Sequence, residues 1–291
     1  MKNRPNLFII GASKCGTTTL WNMLYHHPDV FMSIPKEPKF FSSEDFNVRF
    51  DEYEKLFFEV TNEKVIGEAT PAYSETTILQ EIPKRIYNFN PNAKIIYIVR
   101  EPIERIKSVW RQTLHTGHWY KPFYKNYFGI DVPLMPKNFA KAIYSYPPFI
   151  EATKYWTQLN NYRAFFDDKN ILLLFFEDLK ANPKSVYSSI CTFLDIRDIS
   201  EEAIFEKKNS SKGKKVERRW VVKLRKKKIL LNLYKYISKM LNINLKLQKE
   251  IPYEIDLSFE EKENIYKELE DEIFKILQYG KKDMNFWNFK E

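Results

Sequence analysis

Residues 8–21 read FIIGASKCGTTTLW, and this stretch decides the fold. The apolar run 7–10 ends at Gly11, which is typical of a strand buried on both faces of a parallel sheet. Three threonines follow Gly16, where a helix is predicted to begin. Because the first amides of a helix have no partner inside it, the turn predicts an anion site. The alternative is a tight strand-to-helix turn that binds nothing.

The position of the lysine separates this turn from the common nucleotide loop. In the pattern G-x-x-x-x-G-K-[ST] a lysine follows the second glycine and the next hydroxyl holds magnesium. Here Thr17 takes the place of that lysine, and Lys14 lies two residues before Gly16. We therefore expect a phosphate-bearing donor that needs no metal. The candidate donor-binding residues of the turn are Lys14, Cys15, Gly16, Thr17, Thr18 and Thr19.

Composition bounds the class of protein. The 291 residues are 44% hydrophobic and 16% aromatic, which supports a packed core and excludes disorder for most of the chain. Two cysteines exclude a disulfide framework and favour a reducing compartment. Cys15 has no His or Asp pattern beside it, so we interpret it as a small turn residue rather than a nucleophile. With no apolar segment long enough for a signal sequence or a membrane span, we expect a soluble, cytoplasmic protein.

Apolar runs and helical patterns alternate along the whole chain. The predicted strands are 7–10, 30–32, 65–68, 95–99 and 171–176. The predicted helices are 17–26, 49–60, 76–87, one from Pro102, 148–166, 185–194 and one from a capping box at Ser258. The series predicts one α/β domain over residues 1–291, a P-loop-type three-layer fold with a central parallel sheet between helices.

Glu37 is the candidate general base. It stands between two prolines and two lysines in the stretch 36–41, KEPKFF, so its backbone is stiff and its carboxylate lies in a positive field. The alternative is an exposed loop glutamate paired with Lys36 or Lys39.

Two further strand ends carry candidate residues. The polar turn Thr70 to Tyr73 follows a strand at the sheet edge where open α/β sheets bind ligands. Arg100 follows the strand 95–99, and Ser108 lies two helical turns later, so both can converge on one tetrahedral anion. The alternative is an ion pair of Arg100 with Glu101 or Glu104.

Residues 113–148 are rich in aromatic and turn residues, and we predict a substrate-facing lid. His115 and His118 lie there, but no further metal ligand follows by pattern, so a solvated or stacking role is favoured over zinc.

The net charge of +9 is concentrated late in the chain, because residues 207–250 contain sixteen Lys/Arg and two Glu. The basic amphipathic segment 214–250 is interpreted as a charged helix face. Its part 216–241 is the candidate for peripheral membrane contact.

Taken together, these motifs resemble the sulfotransferases that use 3′-phosphoadenosine 5′-phosphosulfate, in the branch of heparan-sulfate and bacterial carbohydrate sulfotransferases. The resemblance implies that residues 8–20 hold the 5′-phosphosulfate, with Lys14 on the bridging oxygen. It implies that Arg100 and Ser108 bind the 3′-phosphate, that Glu37 is the base, and that Lys212 and Gly213 belong to a late loop that closes on the nucleotide. Ala69 stands where Golgi relatives carry a lysine.

The resemblance implies sulfuryl transfer to a hydroxyl or amine of a glycan, a lipid-linked sugar or another small acceptor, with no metal and no nucleic-acid partner. The candidate acceptor-contacting residues are Lys39, Thr70, Tyr73, His115 and His118. Either histidine is the alternative base. The rival interpretations are a metal-dependent P-loop kinase and a nucleotide-binding, glycan-binding or membrane-surface protein without chemistry.

Overall fold

The computed structural model describes residues 3–117, 131, 133–203, 213–217, 248–252, 255 and 257–287. Five parallel strands form the central sheet, and their bounds are β1 Leu7–Gly11, β2 Val30–Met32, β3 Val65–Ala69, β4 Lys94–Val99 and β5 Ile171–Phe175. Their order is β2-β3-β1-β4-β5. Every side chain of β1 is buried, as expected for the middle strand of a sheet that is covered on both faces. The predicted parallel α/β fold is therefore confirmed.

Helices cover the sheet and connect its strands. Their bounds are α1 Thr17–Tyr25, α2 Phe50–Lys55, α3 Ile82–Phe89, α4 Pro102–Thr116, α5 Phe139–Ser145, α6 Pro148–Glu151, α7 Tyr155–Arg163, α8 Phe176–Ala181, α9 Pro183–Leu194 and α10 Phe259–Tyr279. Two 3-10 turns lie at Pro71–Ser74 and Asp168–Asn170, and a two-stranded antiparallel ribbon joins β6 Lys215–Glu217 to β7 Gln248–Glu250. The predicted capping box of α10 is confirmed, because the side chains of Ser258 and Glu261 each accept from the other's amide.

The chain reverses its direction of winding around β1. It passes from β1 to β2 and β3 on one side, and then to β4 and β5 on the other. The loops that follow β1, β2, β3 and β4 therefore gather at one edge of the sheet, where ligands bind in this class of fold. Four predicted candidates, Lys14, Glu37, Thr70 and Arg100, lie on these loops.

The C-terminal helix α10 packs behind the β4 loop. The hydroxyl of Tyr266 donates to Glu101, whose carboxylate also accepts the first amides of α4. Trp287 donates its indole N–H to Glu177, which accepts the amide of Glu101. The end of the chain thereby fixes the residue next to Arg100. Within the described ranges, no helix combines the length and the apolar character needed to cross a bilayer.

Candidate active site

The loop between β1 and α1 is shaped by two glycines. Gly11 has φ 151°, and a Cβ added there would overlap the Ser74 hydroxyl. Gly16 has φ 103° and begins α1 in the left-handed region, which favours glycine. In the described part of the chain, the amides of Thr17 and Thr18 donate to no protein acceptor. These amides carry the partial positive charge of the helix start and suit an anion.

Lys14 lies in this loop with φ 69°. The pKa of its ammonium is lowered from 10.5 to about 8, mainly by burial and then by the positive charges of Lys214, Arg100 and Lys36, against a smaller opposing effect of Cys15. Burial is the main cause of this fall in pKa, and the neighbouring cations add an unbalanced positive charge to it. A polyanion bound here would restore the balance.

Arg100 lies at the carboxyl end of β4. Its Nη2 is 3.2 Å from Glu104 Oε2, and its guanidinium stacks on the ring of Phe176 at 4.7 Å. The hydroxyl of Tyr155 donates to the Arg100 carbonyl at 2.9 Å. The ion pair with Glu104 is one of the pairings that the sequence left open. It is half-exposed on the glutamate side, so it holds Arg100 weakly.

Ser108 follows on α4 and is 3% exposed. One turn farther, the Gln112 side chain accepts from Lys214 Nζ at 2.5 Å. Burial and then the charge of Arg111 lower the pKa of Lys214. Lys214 thus adds a cation to the side of the site that Arg100 and Ser108 occupy.

Glu37 lies on the loop after β2. This loop, residues 33–41, runs beside the end of β3, and its first contact is from the Ser33 amide to the Gly67 carbonyl at 2.9 Å. The Ala69 amide donates to the Lys36 carbonyl at 3.3 Å. The Glu37 carboxylate is 42% exposed and lies 3.0 Å from Lys36 Nζ. The ion pair with Lys36, which the sequence offered as the alternative, is therefore present.

Thr70 and Tyr73 are fully buried, and their hydroxyls donate to Glu68 at 2.7 and 3.0 Å. Both hydroxyls therefore point into the protein, and the predicted contact of these two side chains with an acceptor stays a prediction. Glu68 itself is buried, and burial raises the pKa of its carboxyl from 4.5 to about 7 against the opposing hydrogen bonds of Tyr53, Thr70 and Tyr73. Sequence reasoning did not predict that Glu68 is buried and accepts these hydroxyls.

The chain matches a known protein family. The sulfotransferase domain profile matches residues 4–238. The chain belongs to the sulfotransferase domain family.

Among curated relatives, heparan sulfate glucosamine 3-O-sulfotransferase 6 of Mus musculus is 36% identical over 110 residues, which cover 38% of this chain and 31% of the relative. Carbohydrate sulfotransferase 15 of Homo sapiens is 24% identical over 273 residues, which cover 74% of this chain and 48% of the relative. The chain thus spans less than half the length of these relatives. The crystal structure of a sulfotransferase from Alicyclobacillus acidocaldarius shares the fold at a TM-score of 0.62, with 20% identity over 98% of both chains.

Membership of the family confirms the predicted resemblance. The sheet edge brings Lys14, Glu37 and Arg100 onto neighbouring loops, as expected. The individual roles of these residues stay predictions.

Cys15 lies in the loop with its side chain buried. Its amide donates to Ala12 at 3.2 Å, and its Sγ is buried 4.0 Å from the Tyr155 hydroxyl. Burial raises the pKa of this thiol to about 12. Its amide is thus bonded inside the loop and its thiol packs behind it, and the predicted donor contact through Cys15 stays a prediction.

Of the three further candidates Lys39, Lys212 and Gly213, the structure describes only Lys39 and Gly213. Gly213 has φ 80° and precedes Lys214, whereas Lys212 lies outside the described residues. A run of three lysines at 212, 214 and 215 signals a cation here, but the sequence does not say which one turns inward. Lys39 has φ 56°, and its amide donates to Thr70.

The predicted lid is not one continuous loop. Helix α4 extends to Thr116, and residues 139–145 form α5, whose buried Phe139 packs edge-on to Trp110. His115 is exposed on the last turn of α4, where its Nδ1 lies 3.0 Å from the Lys215 carbonyl. His118, like residues 119–130, lies outside the described residues. In the described part of the chain, no three His, Cys, Asp or Glu side chains come together as a metal site.

Proposed function

We propose that this protein transfers a sulfuryl group from 3′-phosphoadenosine 5′-phosphosulfate to a hydroxyl or amine of a carbohydrate. The observation that carries the proposal is the placement of Lys14 at the start of α1, within a group of cations and at the same sheet edge as Glu37.

The cations suit a donor that carries two separate anions. Lys14 and the amides of Thr17 and Thr18 would hold the 5′-phosphosulfate. Arg100, Ser108 and Lys214 would hold the 3′-phosphate, which needs donors from both a charged fork and a hydroxyl. The lowered pKa of Lys14 supports this assignment, since burial and then the neighbouring cations disfavour its charge, and a bound anionic donor would favour that charge again.

The reaction is an in-line displacement at sulfur. The acceptor oxygen or nitrogen forms a bond to sulfur while the bond from sulfur to the phosphate oxygen breaks. Glu37 would take the proton that the acceptor loses. Lys14 would stabilise the negative charge that grows on the leaving phosphate, together with the first amides of α1. Each step uses a side chain or amide that lies on a loop at the same sheet edge.

The acceptor class rests on the relatives. The names of two relatives include heparan sulfate and carbohydrate. For this chain we propose a glycan or a lipid-linked sugar. The segment 216–241, outside the described residues apart from its first two, remains the candidate for contact with a membrane-bound acceptor.

The experiment that tests the function uses donor labelled with radioactive sulfur and a panel of bacterial glycans and lipid-linked sugars. We expect label to appear in one acceptor without added magnesium. ATP turnover that requires magnesium would instead support the kinase. Binding of 3′-phosphoadenosine 5′-phosphate without transfer to any acceptor would support the non-catalytic alternative.

The role of Glu37 is tested with Glu37→Gln, which keeps the size of the side chain and removes its basicity. We expect turnover to fall about 100-fold or more, as for loss of a general base, while the affinity for 3′-phosphoadenosine 5′-phosphate changes less than about twofold. Glu44→Gln makes the same change at an exposed position seven residues away and serves as the control. Full activity of Glu37→Gln would overturn the assignment and favour His115 or His118.

A further inference from the structure

Glu68 is a buried acid whose carboxylate is surrounded by hydroxyls. Its side chain is fully buried at the end of β3, and it forms no ion pair with the described residues. Three hydroxyls solvate it instead. Tyr53 and Tyr73 donate to Oε1 at 2.7 and 3.0 Å, and Thr70 donates to Oε2 at 2.7 Å. A buried carboxylate is costly unless its oxygens are satisfied, so this arrangement needs a structural or functional reason.

A carboxylate only accepts hydrogen bonds, and this property fixes the direction of two hydroxyls. The hydroxyl hydrogens of Thr70 and Tyr73 must point at Glu68, which leaves their lone pairs for other donors. Thr70 Oγ1 accepts the amide of Lys39 at 3.4 Å, and Tyr73 Oη accepts the amide of Phe41 at 3.2 Å. The negative charge is thus connected to two main-chain amides through two hydroxyls.

Those amides belong to the loop of Glu37. They lie two and four residues after Glu37, while the Lys36 carbonyl, one residue before it, accepts the amide of Ala69 at 3.3 Å. The loop is therefore attached to the end of β3 on both sides of Glu37. The two attachments after Glu37 depend on Glu68, whereas the one before it is purely main chain.

We propose that Glu68 is a positioning residue for Glu37: it orients the hydroxyls of Thr70 and Tyr73 so that they hold the amides of Lys39 and Phe41. This inference rests on the proposed role of Glu37 as the base. The attachment itself is a property of the protein without ligand and is measured separately.

The pKa of Glu68, raised by burial to about 7, makes this attachment sensitive to pH. The titratable groups that face Glu68 are the phenols of Tyr53, Tyr73 and Tyr162, whose own pKa values burial raises further above their usual range. They stay neutral throughout the working range. When Glu68 is protonated, one of its oxygens becomes a donor, and one hydroxyl loses its acceptor.

The test uses Glu68→Gln in the full chain. The NH2 group of glutamine only donates, so one hydroxyl must accept from it, and that oxygen then shares its lone pairs between glutamine and the loop amide, which weakens the bond to the loop. We expect the amides of Lys39 and Phe41 to exchange with deuterium about tenfold faster, as for loss of one hydrogen bond, while exchange in residues 12–19 is unchanged. We expect the affinity for 3′-phosphoadenosine 5′-phosphate to change less than about twofold.

Two variants keep the test decisive if Glu68→Gln folds poorly. Tyr73→Phe removes one attachment and leaves the carboxylate in place, so exchange should rise at Phe41 more than at Lys39. Tyr53→Phe removes a bond to the same carboxylate but neither attachment, so exchange at both amides should stay within about twofold of the wild type.

The kinetic readout is transfer to whichever glycan of the panel accepts label. We expect Glu68→Gln to lower kcat about tenfold with KM for the donor unchanged, and the acid limb of the pH profile to shift. Unchanged exchange at Lys39 and Phe41 would overturn the proposal, as would faster exchange with an unchanged kcat. If no glycan is sulfated, the proposed function fails, and the exchange data still decide whether Glu68 holds the loop.

Discussion

The phosphate loop, residues 11–19, and the base loop, residues 33–41, lie at the same edge of the sheet but are held in different ways. Main-chain bonds hold the phosphate loop, from Ala12 to Ile98 at 2.6 Å and from Cys15 to Ala12 at 3.2 Å. After Glu37 the base loop is held by two side-chain hydroxyls, and both hydroxyls donate to one buried carboxylate. The first loop is set by backbone geometry, and the second by a group that can gain a proton.

This difference teaches that binding and transfer can be altered separately. On the proposed function, substitutions in the phosphate loop would act on the donor through charge and backbone shape. Substitutions around Glu68 act on the proposed base without touching a donor contact. Three predictions test this separation.

The largest effect is expected for Lys14→Ala. Removal of the ammonium takes away the charge that would stabilise the leaving phosphate, so transfer should fall about 100-fold or more. Radiolabel transfer measures the rate, and calorimetry with 3′-phosphoadenosine 5′-phosphate should show weaker binding too. Lys55→Ala, at an exposed position of α2, is the control and should retain activity. Normal turnover by Lys14→Ala would contradict the proposed role of Lys14 in stabilising the leaving phosphate.

The next effect is on stability and concerns the base loop. Glu68 has a pKa of about 7 in the folded protein against an ordinary value of 4.5. The contribution of neutral Glu68 to the free energy of unfolding is therefore fully present below about pH 4.5 and is lost as the pH rises toward 7. The free energy of unfolding should fall by up to about 1.4 kcal/mol per pH unit within that window.

Urea unfolding of the wild type and Glu68→Gln across pH 4.5 to 7.5 checks this effect. The difference between the two proteins removes the contributions of other groups, and the variant should lose the slope that Glu68 causes. Parallel curves would mean that Glu68 does not titrate in this range.

The smallest effect is expected at Arg100. Glu104→Gln removes the half-exposed carboxylate that pairs with Arg100 and also with Lys107 at 3.1 Å. Because such pairs are worth about 1 kcal/mol or less, the affinity for 3′-phosphoadenosine 5′-phosphate should rise no more than about fivefold. Calorimetry measures it, and Asp271→Asn, which breaks the exposed pair with Lys275 on α10, is the control. Weaker binding by Glu104→Gln would instead show that Glu104 holds Arg100 in its binding position.

Local patterns predicted most of the elements. The apolar run 95–99 became β4, and the polar turn after β3 lies where expected. The predicted helix 148–166 is broken into α6 and α7 at residues 152–154. The sequence did not reveal this break, because the apolar spacing continues through it. The buried Arg105 donates to Thr153 Oγ1 and to the Phe149 carbonyl at this break. That contact joins residues 44 and 48 positions apart, so no local pattern records it.

The sequence by itself determined the order of strands and helices, the turn with Lys14 and Gly16, and the family resemblance, because these depend on neighbouring residues and their spacing. Only the tertiary structure decided that Thr70 and Tyr73 face inward, that Lys214 joins the cations, and that Glu68 is buried beneath the base loop. A glutamate at the end of a strand has the same local pattern whether water or protein covers it. Its burial, and with it its pKa and partners, depends on residues that meet it only when the chain is folded.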